Sequence, residues 1–136
     1  MSKAIPTVSK YMTVLPHSIG SDQTLEKAAT MMREHRIRHL PVLSGGRLLG
    51  IVSQRDIELV RSFGATDAGG LRVSDAARDN VFTVAPDAKL NDVVRRMAGD
   101  KLGSALVVDN GKLVGIFTDT DALNALDELL VTRLTH

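Results

Sequence analysis

A chain of 136 residues that is 43% hydrophobic with a formal net charge of +1 has the material for one compact unit, or for two small halves sharing a core, and is neither disordered nor fibrous. Three Phe, one Tyr and no Trp make that core aliphatic and leave few stacking platforms for single-stranded nucleic acid, and the balanced charge gives no general pull toward polynucleotides or acidic membranes. The absence of cysteine excludes disulfides, thiolate catalysis and cysteine-based zinc sites.

The opening MSKAIPTVSK lacks the apolar core of a signal peptide, and no run approaches the roughly 18 apolar residues of a membrane span, so a cytoplasmic location is expected. Thr7 to Thr13 reads as a short turn or helix and His17 to Ile19 as extended chain. Asp22 or Thr24 starts a helix whose Leu25, Ala28, Ala29 and Met32 form one apolar stripe, ending near His35. A strand from His39 to Leu43 turns at Gly45 and Gly46 into a second, Leu48 to Val52, and a helix runs from about Gln54 to Phe63. The polar, glycine-rich residues 64–71 read as a linker between residues 1–63 and 72–136.

The order then repeats: Val73 to Ala77, an extended piece at Val81 to Val84, and a helix from Asp87 with Leu90, Val93, Val94 and Met97 inward. A strand Ser104 to Asp109 turns at Asn110-Gly111 into Leu113 to Phe117, and the last helix spans about Asp119 to Val131. Residues 8–56 overlay 73–121 without a gap, with Val8, Ser9, Asp22, Leu25, Met32, Val42, Gly46, Leu48, Gly50, Ile51 and Asp56 identical in the two copies. Two copies are too few for a solenoid, so a closed pair is expected in which each covers the other's apolar face. The last helix spreads Ala122, Leu123, Ala125, Leu126, Leu129 and Leu130 over more than one stripe, which calls for a second partner besides its own core, most simply another copy of the chain.

Both copies end on the same device, GRLLGIVSQRD at Gly46 to Asp56 and GKLVGIFTDTD at Gly111 to Asp121. An apolar strand runs into a hydroxyl residue, Ser53 or Thr118, with Asp56 or Asp121 in the first turn of the next helix. That arrangement caps a helix, and it also suits a polyol such as a ribose, whose vicinal hydroxyls donate to a carboxylate. His17, His35 and His136 are too scattered to suggest a metal site. Met31, Met32 and Met97 read as core filler. Asp119 and Asp121 do not share a helix face, and no GxSxG, P-loop or HExxH is present, so no enzyme is expected.

The repeated motif, preceded in the first copy by HRIRHLPV, resembles a tandem pair of CBS domains, the Bateman module. The resemblance implies an α+β fold of two pseudo-symmetric β-α-β-β-α units packed sheet to sheet, with small mixed sheets flanked by helices and two clefts between the units. It implies a regulatory module that senses AMP, ADP, ATP or S-adenosylmethionine and signals to a partner protein. It also implies a homodimer through helices 54–63 and 119–131, although some relatives bind no nucleotide and act as interaction proteins.

By the same resemblance Asp56 and Asp121 would hold ribose hydroxyls, with Ser53 and Thr118 beside them. Ile37 and Leu102 would pack on adenine, and the chain around Pro16 and His17, and around Val81 and Phe82, would read the base edge. Arg38 and His39 would face phosphates. The second copy has Gly103 and Ser104 in their place, so two unequal sites are expected.

Overall fold

The computed structural model describes residues 4–63 and 70–134, so most of the predicted linker and His136 lie outside the described residues. The first copy runs through a 3-10 turn at Val8–Lys10, β1 (Thr13–Val14), β2 (Ile19–Gly20), α1 (Leu25–His35), β3 (His39–Ser44), β4 (Arg47–Ser53) and α2 (Gln54–Ser62). The second runs through α3 (Val73–Ala76), β5 (Thr83–Val84), α4 (Leu90–Asp100), β6 (Ser104–Asp109), β7 (Lys112–Thr118) and α5 (Asp119–Leu134).

Packing does not follow the order of the copies. One unit is Pro16–Val81; the other joins the described part of Met1–Leu15 to that of Phe82–His136. The leading segment of each copy is thereby built into the unit of the other, in matching register. Val73, fully buried, joins the core of Ile19, Leu25, Leu40, Val42, Val52 and Ile57, and Val8, fully buried, joins that of Leu90, Val93, Ala105, Val107 and Phe117. The backbone repeats the exchange: Val73 N–H donates to the Gln23 carbonyl at 2.8 Å as Val8 N–H does to that of Ala88. The sequence boundary at 64–71 is therefore a boundary of the repeat, whereas the units as packed change over at residues 15/16 and 81/82.

In the Pro16–Val81 unit, Thr24 starts α1 by accepting from the Lys27 N–H at 3.1 Å, which brings Leu25, Ala28 and Met32 onto one buried stripe. The sheet order is β2-β3-β4, with β2 parallel to β3 and β3 antiparallel to β4. Gly45 and Gly46, at φ 56° and 81°, supply the left-handed turn that a two-residue hairpin requires. Gly50 has a different role: a Cβ there would collide with the Arg78 carbonyl, because residue 78 forms a β-bridge to Ile51.

The other unit carries the same plan, with sheet order β1-β7-β6-β5. Its β1 pairs with β7 at Thr13↔Ile116, the counterpart of the Ile51–Arg78 bridge. One expectation needs correcting: α4 begins at Leu90 rather than at Asp87. Lys89 stands where the first copy has the capping Thr24 and gives no side-chain cap, and the Ala88 N–H closes a turn onto the Ala85 carbonyl. Among the described residues no helix is long and apolar enough to cross a membrane.

Candidate functional site

β4 and β7 end in a hydroxyl residue where the chain turns into a helix, and this fixes Ser53 and Thr118 as caps of α2 and α5. In the first copy the capping box is complete. Ser53 Oγ accepts from the Asp56 N–H at 3.1 Å, and Asp56 Oδ2 accepts from the Ser53 N–H and hydroxyl, both at 2.8 Å. In the second, Asp121 Oδ2 accepts from the Thr118 N–H at 2.9 Å and its hydroxyl at 3.2 Å, while the Asp121 N–H reaches Thr118 Oγ1 at 3.3 Å.

The two carboxylates part at their remaining oxygen. Asp56 Oδ1 accepts from Arg78 Nε at 2.7 Å, an ion pair that occupies it in a residue only 5% exposed. At the equivalent place Asp121 has Thr13, whose hydroxyl lies 3.3 Å from Oδ1 and 3.4 Å from Oδ2, long for an O–H···O bond. Asp121 is half-buried. One carboxylate is thus closed by a guanidinium, and the other retains an oxygen that a better donor can take over.

The register His39↔Ser53 sets Arg38 and His39 beside the start of α2, and the Arg38 carbonyl accepts from the Gln54 N–H at 2.9 Å. Ser104 opposes Thr118 in the same way, with the Gly103 carbonyl accepting from Asp119 N–H at 3.1 Å. Ile37 and Leu102 are half-buried at the strand entrances, each with its N–H on the carbonyl of the buried methionine before it, Met32 or Met97. The Ile37 and Arg38 side chains line a cavity of about 300 Å³ between α1 and α2 whose walls include neither Ser53 nor Asp56.

The expected base-reading segments fall where the chain changes unit: Pro16 opens one unit, Val81 closes it and Phe82 opens the return. The Phe82 carbonyl accepts from Leu106 N–H at 2.9 Å, and its ring carries the Arg96 guanidinium at 5.0 Å. His17 and His35, far apart in sequence, stack with ring centroids 3.7 Å apart. They are closer than their spacing suggested, though among the described residues no group of three or more His, Cys, Asp or Glu is gathered to hold a metal.

Sequence reasoning missed Arg78 and Thr13. Neither belongs to a local motif; only the 65-residue offset that relates them to each other, combined with the exchange of leading segments, pairs each with the other copy's aspartate.

Comparison with known proteins settles the family. The CBS-domain family matches residues 8–60 and again 73–128. The chain belongs to that family, as a tandem pair. The CBS pair is similar to the Vibrio cholerae protein AcuB, with 33% identity, a TM-score of 0.85, and 94% of this chain and 95% of that one covered. It is similar also to CBSX2 in complex with AMP, at 27% identity and a TM-score of 0.77, covering 91% and 98% of the two chains. An inosine-5'-monophosphate dehydrogenase of Korarchaeum cryptofilum is 29% identical over 134 residues, of which the CBS pair spans only 27% of the length.

Proposed function

We propose that this CBS pair is a regulatory module that binds an adenine nucleotide or adenosyl ligand, with Asp121 as the carboxylate that holds the ribose. The observation that carries the reading is the unequal engagement of the two aspartates. Among the described residues Asp121 Oδ1 is offered only a long contact from Thr13, whereas Asp56 Oδ1 is taken by Arg78 at 2.7 Å. Vicinal ribose hydroxyls at ordinary hydrogen-bond distance displace a 3.3 Å hydroxyl contact far more readily than a charge-assisted guanidinium. That CBSX2, similar over 91% of this chain, is found with AMP supports adenine as the base.

Thr118, Leu102 and Phe82 belong to the same unit as Asp121 and are assigned to it as polar contact, base packing and base-edge reader. Pro16, His17, Ile37, Arg38, His39, Ser53, Asp56 and Val81 belong to the other unit, and with Asp56 closed they form the weaker half of an unequal pair. Ligand binding shifts a conformational equilibrium that a partner protein reads, which requires different affinities for the two states. No catalytic step is assigned to the module.

Self-association belongs to the same reading. On α5 the residues Leu123, Leu126, Leu130, Val131 and Leu134 are 45–71% exposed, an apolar face that a homodimer would cover, with Leu59 and Phe63 near the end of α2 as a smaller second patch. The same face favours the rival reading, an interaction protein whose capping boxes only cap. Titration calorimetry of ligand-free protein with AMP, ADP, ATP and S-adenosylmethionine separates the two. Saturable heat with one of them, accompanied by a raised melting temperature, is expected; no heat and no shift with any gives the rival reading the field.

A further inference from the structure

The backbone fixes where residue 78 stands. Its N–H donates to the Ile51 carbonyl at 2.8 Å, and its carbonyl accepts from the Ile51 N–H at 2.9 Å, beside a glycine at position 50 that leaves room for the close approach. Ala76 and Ala77, just before it, pack on the core of the same unit. None of these contacts uses the Arg78 side chain, which is 61% exposed and meets the unit at Asp56 Oδ1. It can leave that carboxylate for water without disturbing the core.

Helix capping does not explain the ion pair. Ser53 donates only to Oδ2 of Asp56, and Thr118 donates to Oδ2 of Asp121 in the corresponding way, with the Thr13 hydroxyl where the first copy has a guanidinium. α5 therefore starts on the same box as α2 without an arginine at this place. What Arg78 adds is a cover on Oδ1. A charge-assisted bond is roughly twice as strong as a neutral one, so a neutral diol must give up more than it gains to reach that oxygen while the guanidinium holds it.

We infer that Arg78 is a latch on a second, latent diol site: the first copy keeps a ribose-type site at Asp56, and the Arg78 side chain sets whether it is occupied. Given the ribose reading of the aspartates, on which this rests, one residue decides whether the chain takes one ligand or two.

The test is calorimetric titration of the whole chain with AMP in an Asp121→Ala background, where the first copy is what remains to bind. Adding Arg78→Thr, which gives the first copy the residue of the second, should tighten AMP by at least about tenfold, and adding Asp56→Ala as well should abolish the gain. Removing a cation ordinarily weakens an anionic ligand, so a gain marks the latch and not general charge. 2′-Deoxy-AMP lacks one of the vicinal hydroxyls and should not share the gain. With Asp121 intact, Arg78→Thr should raise uptake from about one AMP per chain to about two. Arg78→Gln keeps a neutral donor, should give a smaller gain, and serves if the threonine variant folds poorly. Asp121→Ala against wild type tests the ribose reading by itself: unchanged affinity there sinks that reading, whereas loss there with no gain from Arg78→Thr sinks the latch alone. A lowered melting temperature with unchanged AMP affinity in both Arg78 variants would make Arg78 a structural ion pair and overturn the inference.

Discussion

Asp56 and Asp121 occupy the same position of the same motif and make corresponding capping contacts, tighter in the first copy, and they part at what meets their second oxygen. Arg78 closes on Asp56, and Thr13 barely reaches Asp121. Both closing residues come from the exchanged leading segment, so the fold that is shared by the copies delivers a residue to each carboxylate while the sequence decides whether it shuts the site or leaves it open. The helices beyond show the same divergence. The α2 face beside Glu58 and Arg61 borders a basic cavity, and its α5 counterpart, Leu123 and Leu126, is exposed and apolar. Under the proposed reading, an internal repeat of this kind lets one half hold a ligand and the other hold structure without altering the backbone plan.

The comparison can be broken first at the glycines against which the exchanged segments lie. Gly50→Ala drives a methyl into the Arg78 carbonyl, which belongs to a bridged backbone, and should cost about 2–3 kcal/mol in urea denaturation. Gly115→Ala meets the Met12 side chain, which can swing aside, and should cost about 1 kcal/mol or less. Equal costs would mean that the two segments are held alike.

Next come the carboxylates' partners. Arg78→Ala leaves one oxygen of a buried aspartate without its donor and should destabilise by about 1–2 kcal/mol, the low side of the range because the guanidinium is 61% exposed. Thr13→Arg imports the first copy's closure into the second and should weaken adenine-nucleotide binding by about tenfold, or about 1.4 kcal/mol, without loss of stability. If affinity is unchanged, the open oxygen of Asp121 is not where the ribose sits. The smallest effect belongs to Thr13→Ala, which removes only a long exposed contact and should change stability by no more than about 0.5 kcal/mol.

Much of this was legible in the sequence. The helix stripes, the hairpin turns at Gly45-Gly46 and Asn110-Gly111 and the two hydroxyl–aspartate boxes follow from periodicity, turn chemistry and capping, all of which are local, whereas the small mixed sheets flanked by helices came from the resemblance to the CBS family. The exchange of Val8 and Val73 was not legible, because both cores accept a valine at the same register and a linear pattern carries no preference between them. For the same reason Arg78 and Thr13 were invisible as partners of the aspartates. The basic cavity between α1 and α2 was half visible: Arg33 with Arg36 and Glu58 with Arg61 have i, i+3 spacing, but their convergence depends on how α1 and α2 lie together. The start of α4 was misplaced at Asp87 because an aspartate was read as the signal where the first copy is capped two residues later by a threonine.

The measurement that bears most directly on the central claim is AMP titration of Asp121→Ala and Asp56→Ala side by side with wild type. A carboxylate that accepts from two ribose hydroxyls contributes charge-assisted bonds, so Asp121→Ala should weaken AMP by about 10- to 100-fold while Asp56→Ala changes affinity less than about threefold and lowers the melting temperature more. The reverse order, or equal affinity in all three proteins, would contradict the assignment of Asp121 as the open site.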